Sequence, residues 1–124
     1  PMHKKIFIKD GEKCYFIPIS DIYYIESMDN YARLYFGGKK AMIKRSLNLL
    51  EKKLDTTVFF RANRSQIINT HFIKEIHPHF NNKLHIILIS GEKIEVSSRQ
   101  SVKFKNWNTF PLHLYIFIIS LLHR

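Results

Sequence analysis

Apolar positions recur in short runs broken by Gly, Asn, Asp or Pro, a pattern that predicts strands rather than long helices. Ile6-Phe7-Ile8 reads as one strand, Asp10-Gly11 as a turn and 13–17 as a second strand, which together predict a hairpin. Pro18 ends it, because proline cannot donate to a ladder. Ser20-Asp21 predicts a short helical turn before a strand over 22–26, which Asp29-Asn30 break. The next run, 31–36, alternates: Tyr31, Arg33 and Tyr35 take one face, Ala32, Leu34 and Phe36 the other. Gly37-Gly38 then predicts a tight turn into a strand over 39–43.

The period changes at 46–54, where Leu47, Leu50 and Leu54 recur at helical spacing behind Ser46, a good N-cap. Val58-Phe59-Phe60 precede a polar stretch over 61–65, after which Ile67, Ile68, Ile73 and Ile76 are expected to return to the core. Asn81-Asn82 reads as a loop. Strands over 84–89 and 93–96 are joined by Ser90-Gly91-Glu92, and Ser97 or Ser98 caps a last short helix ending near Trp107. The expected fold is mainly β, with eight or nine short strands and two short helices, and no repeats or low-complexity linkers.

Composition supports one ordered domain. Ten Phe and six Tyr in 124 residues, 45% of them hydrophobic, can fill a core and suit pleated, half-buried surfaces. The domain is expected over 4–108, followed by an apolar tail over 109–124 whose stretch 112–122 is too short for a membrane-spanning helix of about 20 residues. That tail is read as a packing or association segment. The single cysteine, Cys14, sits in an apolar run and reads as an inert core or half-buried thiol; it allows no intramolecular disulfide. The charged N-terminus carries no secretory leader pattern, Pro1 ahead of Met2 reads as a remnant of expression, and the cytoplasm is the default location.

Charge changes the picture more. The net charge is +10, and the segment 33–64 carries nine basic residues against only Glu51 and Asp55. Clustered positive charge is the footprint of phosphate binding, with an ordinary solvated face as the plainer alternative. For Lys52 and Lys53, on the outer face of a short helix, the solvated face is the better reading. No Gly-rich phosphate loop and no CxxC or HExxH spacing is present, and His77-Pro78-His79 lacks an obvious third metal ligand. Glu26 with Asp29 reads as a solvated strand end rather than a catalytic carboxylate pair. The chain is therefore expected to be a binding module without enzyme chemistry, metal or cofactor.

Four stretches, in order, resemble the LytTR family of DNA-binding domains: 22–31 (IYYIESMDNY), the helix with Ser46-Leu47, Leu50-Glu51 and Leu54, the stretch 60–69 (FRANRSQIIN), and 91–99 ending in Ser97-Ser98-Arg99. The resemblance covers 4–107. It implies an elongated arrangement of antiparallel β-sheets whose loops enter the major groove of double-stranded DNA. It implies base reading by Arg64 and Arg99, a third contact region at Asn30, Tyr31 and Arg33, participation of Asn63, and phosphate contacts from Lys44, Arg45 and Ser97. It also implies a bacterial transcription regulator, with a receiver domain N-terminal to this one and two protomers on tandem DNA repeats. The family often has His where this chain has Asn63, and some relatives place a polar side chain at the position of Ala32. Two other readings compete. One is a single-stranded nucleic-acid module that stacks bases on Tyr and Phe. The other is a protein-interaction or membrane-associated module working through the tail.

Overall fold

The computed structural model of the chain describes residues 4–107. The apolar stretch 112–122 lies outside them, and so does the rest of the tail. Ten strands and two helices follow in order: β1 (Lys5–Asp10), β2 (Lys13–Pro18), β3 (Ile22–Met28), β4 (Tyr31–Phe36), β5 (Lys39–Ile43), α1 (Leu47–Lys53), β6 (Phe59–Asn63), β7 (Gln66–Asn69), β8 (Ile73–Pro78), β9 (Leu84–Leu88), β10 (Lys93–Val96) and α2 (Ser98–Asn106). All pairings are antiparallel. They make a hairpin β1-β2, a central sheet in the order β5-β4-β3-β7-β6, and a three-stranded sheet β10-β9-β8. The mainly-β expectation holds.

The central sheet buries both faces. On one, Ile22, Ile25, Leu34, Phe59 and Ile67 pack with Ile8 of the hairpin and Leu47 and Leu50 of α1. On the other, Tyr24, Phe60, Ala62 and Ile68 pack with Leu84, Ile86, Leu88, Ile94 and Val96, and Phe104 and Trp107 close the layer. Strand alternation assigns these faces. A register shift between Ile22 and Tyr24 lets Tyr23 and Tyr24 both reach the second layer, against strict alternation. Gly37 and Gly38 both hold positive φ, 51° and 73°, as a tight hairpin turn between β4 and β5 requires.

Three expectations need correction. Ile76 is 44% exposed rather than in the core, because β8 is an edge strand of the small sheet and overhangs the layer contact. Cys14 is exposed, since it lies opposite Lys9 on the outward face of the hairpin, where Phe7 and Phe16 are also exposed. Arg61, Ala62 and Asn63, grouped by sequence with a polar loop, complete β6, so that only Arg64 and Ser65 form the turn into β7. No helix among the described residues is long and apolar enough to cross a membrane.

Candidate nucleic-acid interface

Strand direction brings distant residues to one edge. β3, β5 and β6 end where β4 and β7 begin, as the pairs Met28 with Tyr31, Ala32 with Ile43, Glu26 with Gln66 and Asn63 with Gln66 require. Ser27 N–H donates to Ser65 C=O at 2.8 Å, and Ser97 N–H to Ala62 C=O at 3.1 Å. One end of the central sheet therefore carries the β3–β4 turn with Asn30 and Tyr31, the β5–α1 link with Lys44 and Arg45, the β6–β7 turn with Arg64, and the start of α2 with Ser97 and Arg99. Five strands at about 4.8 Å spacing make this edge roughly 19 Å wide. Asn30, Tyr31, Lys44, Arg45, Arg64 and Arg99 are exposed.

Arg64 and Arg99 line the same open cleft, together with Asn63, Ser97, Gln100 and Lys103. Ser97 caps α2, its Oγ accepting from Gln100 N–H at 3.3 Å, so that Arg99 stands in the first turn, where free helix N–H groups and the dipole already favour an anion. Gln100 Nε2 ties that turn to β6 by donating to Arg61 C=O at 2.7 Å. Lys103 was not foreseen from sequence. Lys103 was within reach, since it follows Arg99 by one helical turn on the predicted helix. Gln100 left no sequence signal.

Asn63 is held internally, and Arg33 is tied at one terminal nitrogen. The Arg33 guanidinium donates to Tyr35 Oη at 3.3 Å, and Tyr35 Oη donates to Glu26 Oε1 at 3.2 Å. Gln66 Nε2 donates to the other Glu26 oxygen at 3.0 Å, and Asn63 Nδ2 donates to Gln66 Oε1 at 3.0 Å and to Glu95 C=O at 2.6 Å. Asn63 Oδ1 accepts Ser65 N–H at 2.8 Å. A hydrogen-bonded chain thus links β4 to the β6–β7 turn, and Glu26 is its centre rather than a solvated strand end. The Tyr35 hydroxyl holds the Arg33 pKa above its ordinary value, keeping it charged. Tyr24, stacked on Tyr35 at 4.2 Å, has its phenol pKa raised by burial and stays neutral. Ala32 is fully buried, so no base can reach it.

The remaining chemistry-bearing groups lie elsewhere. His77 pairs with Glu75 at 3.1 Å and the His79 ring stacks on His85 at 3.8 Å, on the small sheet and the loop beside it. Among the described residues, no cluster of three or more His, Cys, Asp or Glu side chains could hold a metal ion.

The profile of the LytTr DNA-binding domain matches residues 12–109. The chain belongs to the LytTR family. It is 32% identical over 105 residues to the sensory transduction protein LytT of Enterococcus faecalis, covering 85% of this chain and 43% of that protein. It is also 32% identical over 98 residues to the transcriptional regulatory protein LytR of Staphylococcus aureus, covering 79% of this chain and 40% of the relative. A solved LytTr DNA-binding domain of a response regulator from Bacillus cereus superimposes with a TM-score of 0.79 at 25% identity, covering 86% of this chain and 98% of that one. This LytTR chain thus spans less than half the length of the relatives LytT and LytR.

Proposed function

We propose that this LytTR domain reads a specific sequence in double-stranded DNA, with Arg64 and Arg99 as the base-reading side chains. The observation that carries this is their convergence on one cleft from the β6–β7 turn and the α2 N-terminus, 35 residues apart in sequence. Arginine can present two donors to guanine O6 and N7, and the major groove is the one that distinguishes all four base pairs. Lys44 and Arg45 lie at the β5 side of an edge roughly 19 Å wide. A major groove is about 12 Å wide, so they reach flanking phosphates rather than the same bases. Asn30, Tyr31 and Arg33 supply the contact region between. Asn63 braces the reading turn, and Ser97 orients α2.

In the full-length protein, this domain, at 4–108, is the output unit of a cytoplasmic two-component response regulator, with a receiver domain before it and two copies on tandem DNA repeats. The relatives named LytT and LytR support this, as does the length by which they exceed the chain. No enzyme chemistry is assigned to the domain.

Selection from a random duplex library tests the reading, with the Arg64→Ala, Arg99→Ala double variant alongside. The expected result is a short repeated motif enriched by the native chain and lost in the variant. If neither enriches a motif and binding only fades with salt, the charge is a non-specific phosphate grip and the specific reading falls. Tyr31, 43% exposed at the same edge, could stack a base, so tighter binding to single strands than to duplex would favour the single-strand alternative.

A further inference from the structure

Arg61 is basic, belongs to the most family-like stretch and lines the cleft, yet its guanidinium is taken up by internal partners. Its side chain is only 15% exposed. Nε donates to Asn63 C=O at 2.7 Å and one terminal nitrogen donates to Arg64 C=O at 2.6 Å. The other terminal nitrogen donates to Asn48 Oδ1 and to Glu51 Oε1, both at 2.9 Å. One planar fork thus bonds two successive carbonyls of the β6–β7 turn and two side chains of α1. The Glu51 carboxylate balances its charge, so Arg61 has little left to offer a phosphate.

The turn needs such a partner. A register shift between Arg61 and Asn63 breaks the β6–β7 ladder where it enters the turn. The Arg64 carbonyl, inside the turn, has no ladder partner, and Arg61 bonds it together with the Asn63 carbonyl beside it. An arginine can reach both at once with nitrogens fixed in one plane; a lysine offers a single point of attachment.

We propose that Arg61 is a positioning residue for DNA reading: anchored on Asn48 and Glu51 of α1, it clamps the backbone of the β6–β7 turn so that Arg64 is presented to the bases in one fixed direction. The proposal rests on the reading of Arg64 as a base contact. It assigns to α1, which stands behind the turn, a part in sequence discrimination without touching DNA.

The test compares Arg61→Lys with Arg64→Ala on a selected cognate duplex and on random duplex. Arg61→Lys keeps the charge and loses the fork. The expected result is about tenfold or greater loss of cognate affinity, the effect of removing charge-assisted hydrogen bonds, with random-duplex affinity unchanged. In the free protein, the amide resonances of 63–65 should shift while those of β9 and β10 stay in place. Glu51→Ala releases only the α1 end and should reduce discrimination in the same direction, which covers the case that Arg61→Lys does not fold. Native-like discrimination in Arg61→Lys, on a duplex where Arg64→Ala has lost it, overturns the clamp. Equal losses on cognate and random duplex overturn it as well. If the unsubstituted chain itself shows no discrimination, the reading of Arg64 fails instead, and the amide shifts still decide whether Arg61 sets the turn.

Discussion

Arg64 and Asn63 are neighbours with opposite fates. Asn63 has both amide hydrogens engaged, by Gln66 and Glu95, and its oxygen holds Ser65 N–H. Arg64 is exposed, and only its backbone carbonyl is taken, by Arg61. Binding energy for bases therefore belongs to Arg64, and Asn63 acts through the turn. Arg64→Ala and Arg99→Ala should each cost roughly 1–3 kcal/mol at the cognate site and relax base preference at separate positions. Competition titrations with single-base variants of the site measure this. If both alanine variants kept cognate affinity and preference, those two roles would have to be reassigned.

At the scale of elements, Asn69 shows what joins the central sheet to its surroundings. It is fully buried; Nδ2 donates to the carbonyls of Ser20 and Ile22, both at 3.0 Å, and Oδ1 accepts His71 N–H at 2.9 Å. One side chain thus serves the helical turn before β3 and the one after β7. Asn69→Ala leaves the buried Ile22 carbonyl without that donor and removes the part-buried bonds to Ser20 and His71, and should cost about 1–3 kcal/mol. The expected reading is a lower urea midpoint with an unchanged slope; an unshifted midpoint rejects the role. Sequence reasoning placed Asn69 in the family stretch and gave it no such part, because a polar residue after Ile67-Ile68 looks like the end of a strand. By contrast, the alternation of 31–36, the Gly37-Gly38 turn and the Ser46 cap were legible, since each depends only on neighbours within a few residues. What sequence periodicity cannot register is contact between layers. Ile76 has the composition of a core residue but lies on an edge strand, and Arg61 has the charge of a DNA contact but faces α1. The convergence of Arg64 and Arg99 was suggested by family resemblance alone, because their proximity depends on the direction of five strands.

Over the whole molecule, titration and charge act together. His85 has a lowered pKa, first because partial burial disfavours its charged form and then through His79, Lys93 and His77, with Glu95 opposing. The folded state therefore binds fewer protons than the unfolded chain between that lowered value and about 6.5, and stability rises with pH across the window. Glu95, lowered by Lys83, and Asp55, lowered by the Thr57 hydroxyl and N–H, act with the same sign in stronger acid. Their contributions are present above about 4 and are lost as pH falls through the lowered values. Urea midpoints should thus hold near neutrality and fall in two stages on acidification, and His85→Gln should flatten the first stage. A midpoint equal at pH 7.5 and 5 would contradict the assignment of His85.

The distribution of charge gives a sharper test than its sum. A net charge of +10 spread evenly would grip DNA from any side, whereas Lys44, Arg45, Arg64, Arg99 and Lys103 are exposed at or beside one edge, and Lys39 and Lys40 lie at the opposite end of β5. Counterion release makes log affinity fall with log salt at about 0.9 per neutralised phosphate, so contacts confined to that edge predict a slope of magnitude about 4.5 on random duplex. Lys44→Ala should lower that magnitude by about 0.9 and weaken cognate and random duplex alike, as a phosphate contact must. Lys39→Ala with Lys40→Ala removes two charges from the net total and should leave the slope unchanged. Equal effects per charge removed in the two variants would mean that DNA feels the overall charge rather than the edge, and the docking face would then have to be sought elsewhere on the molecule.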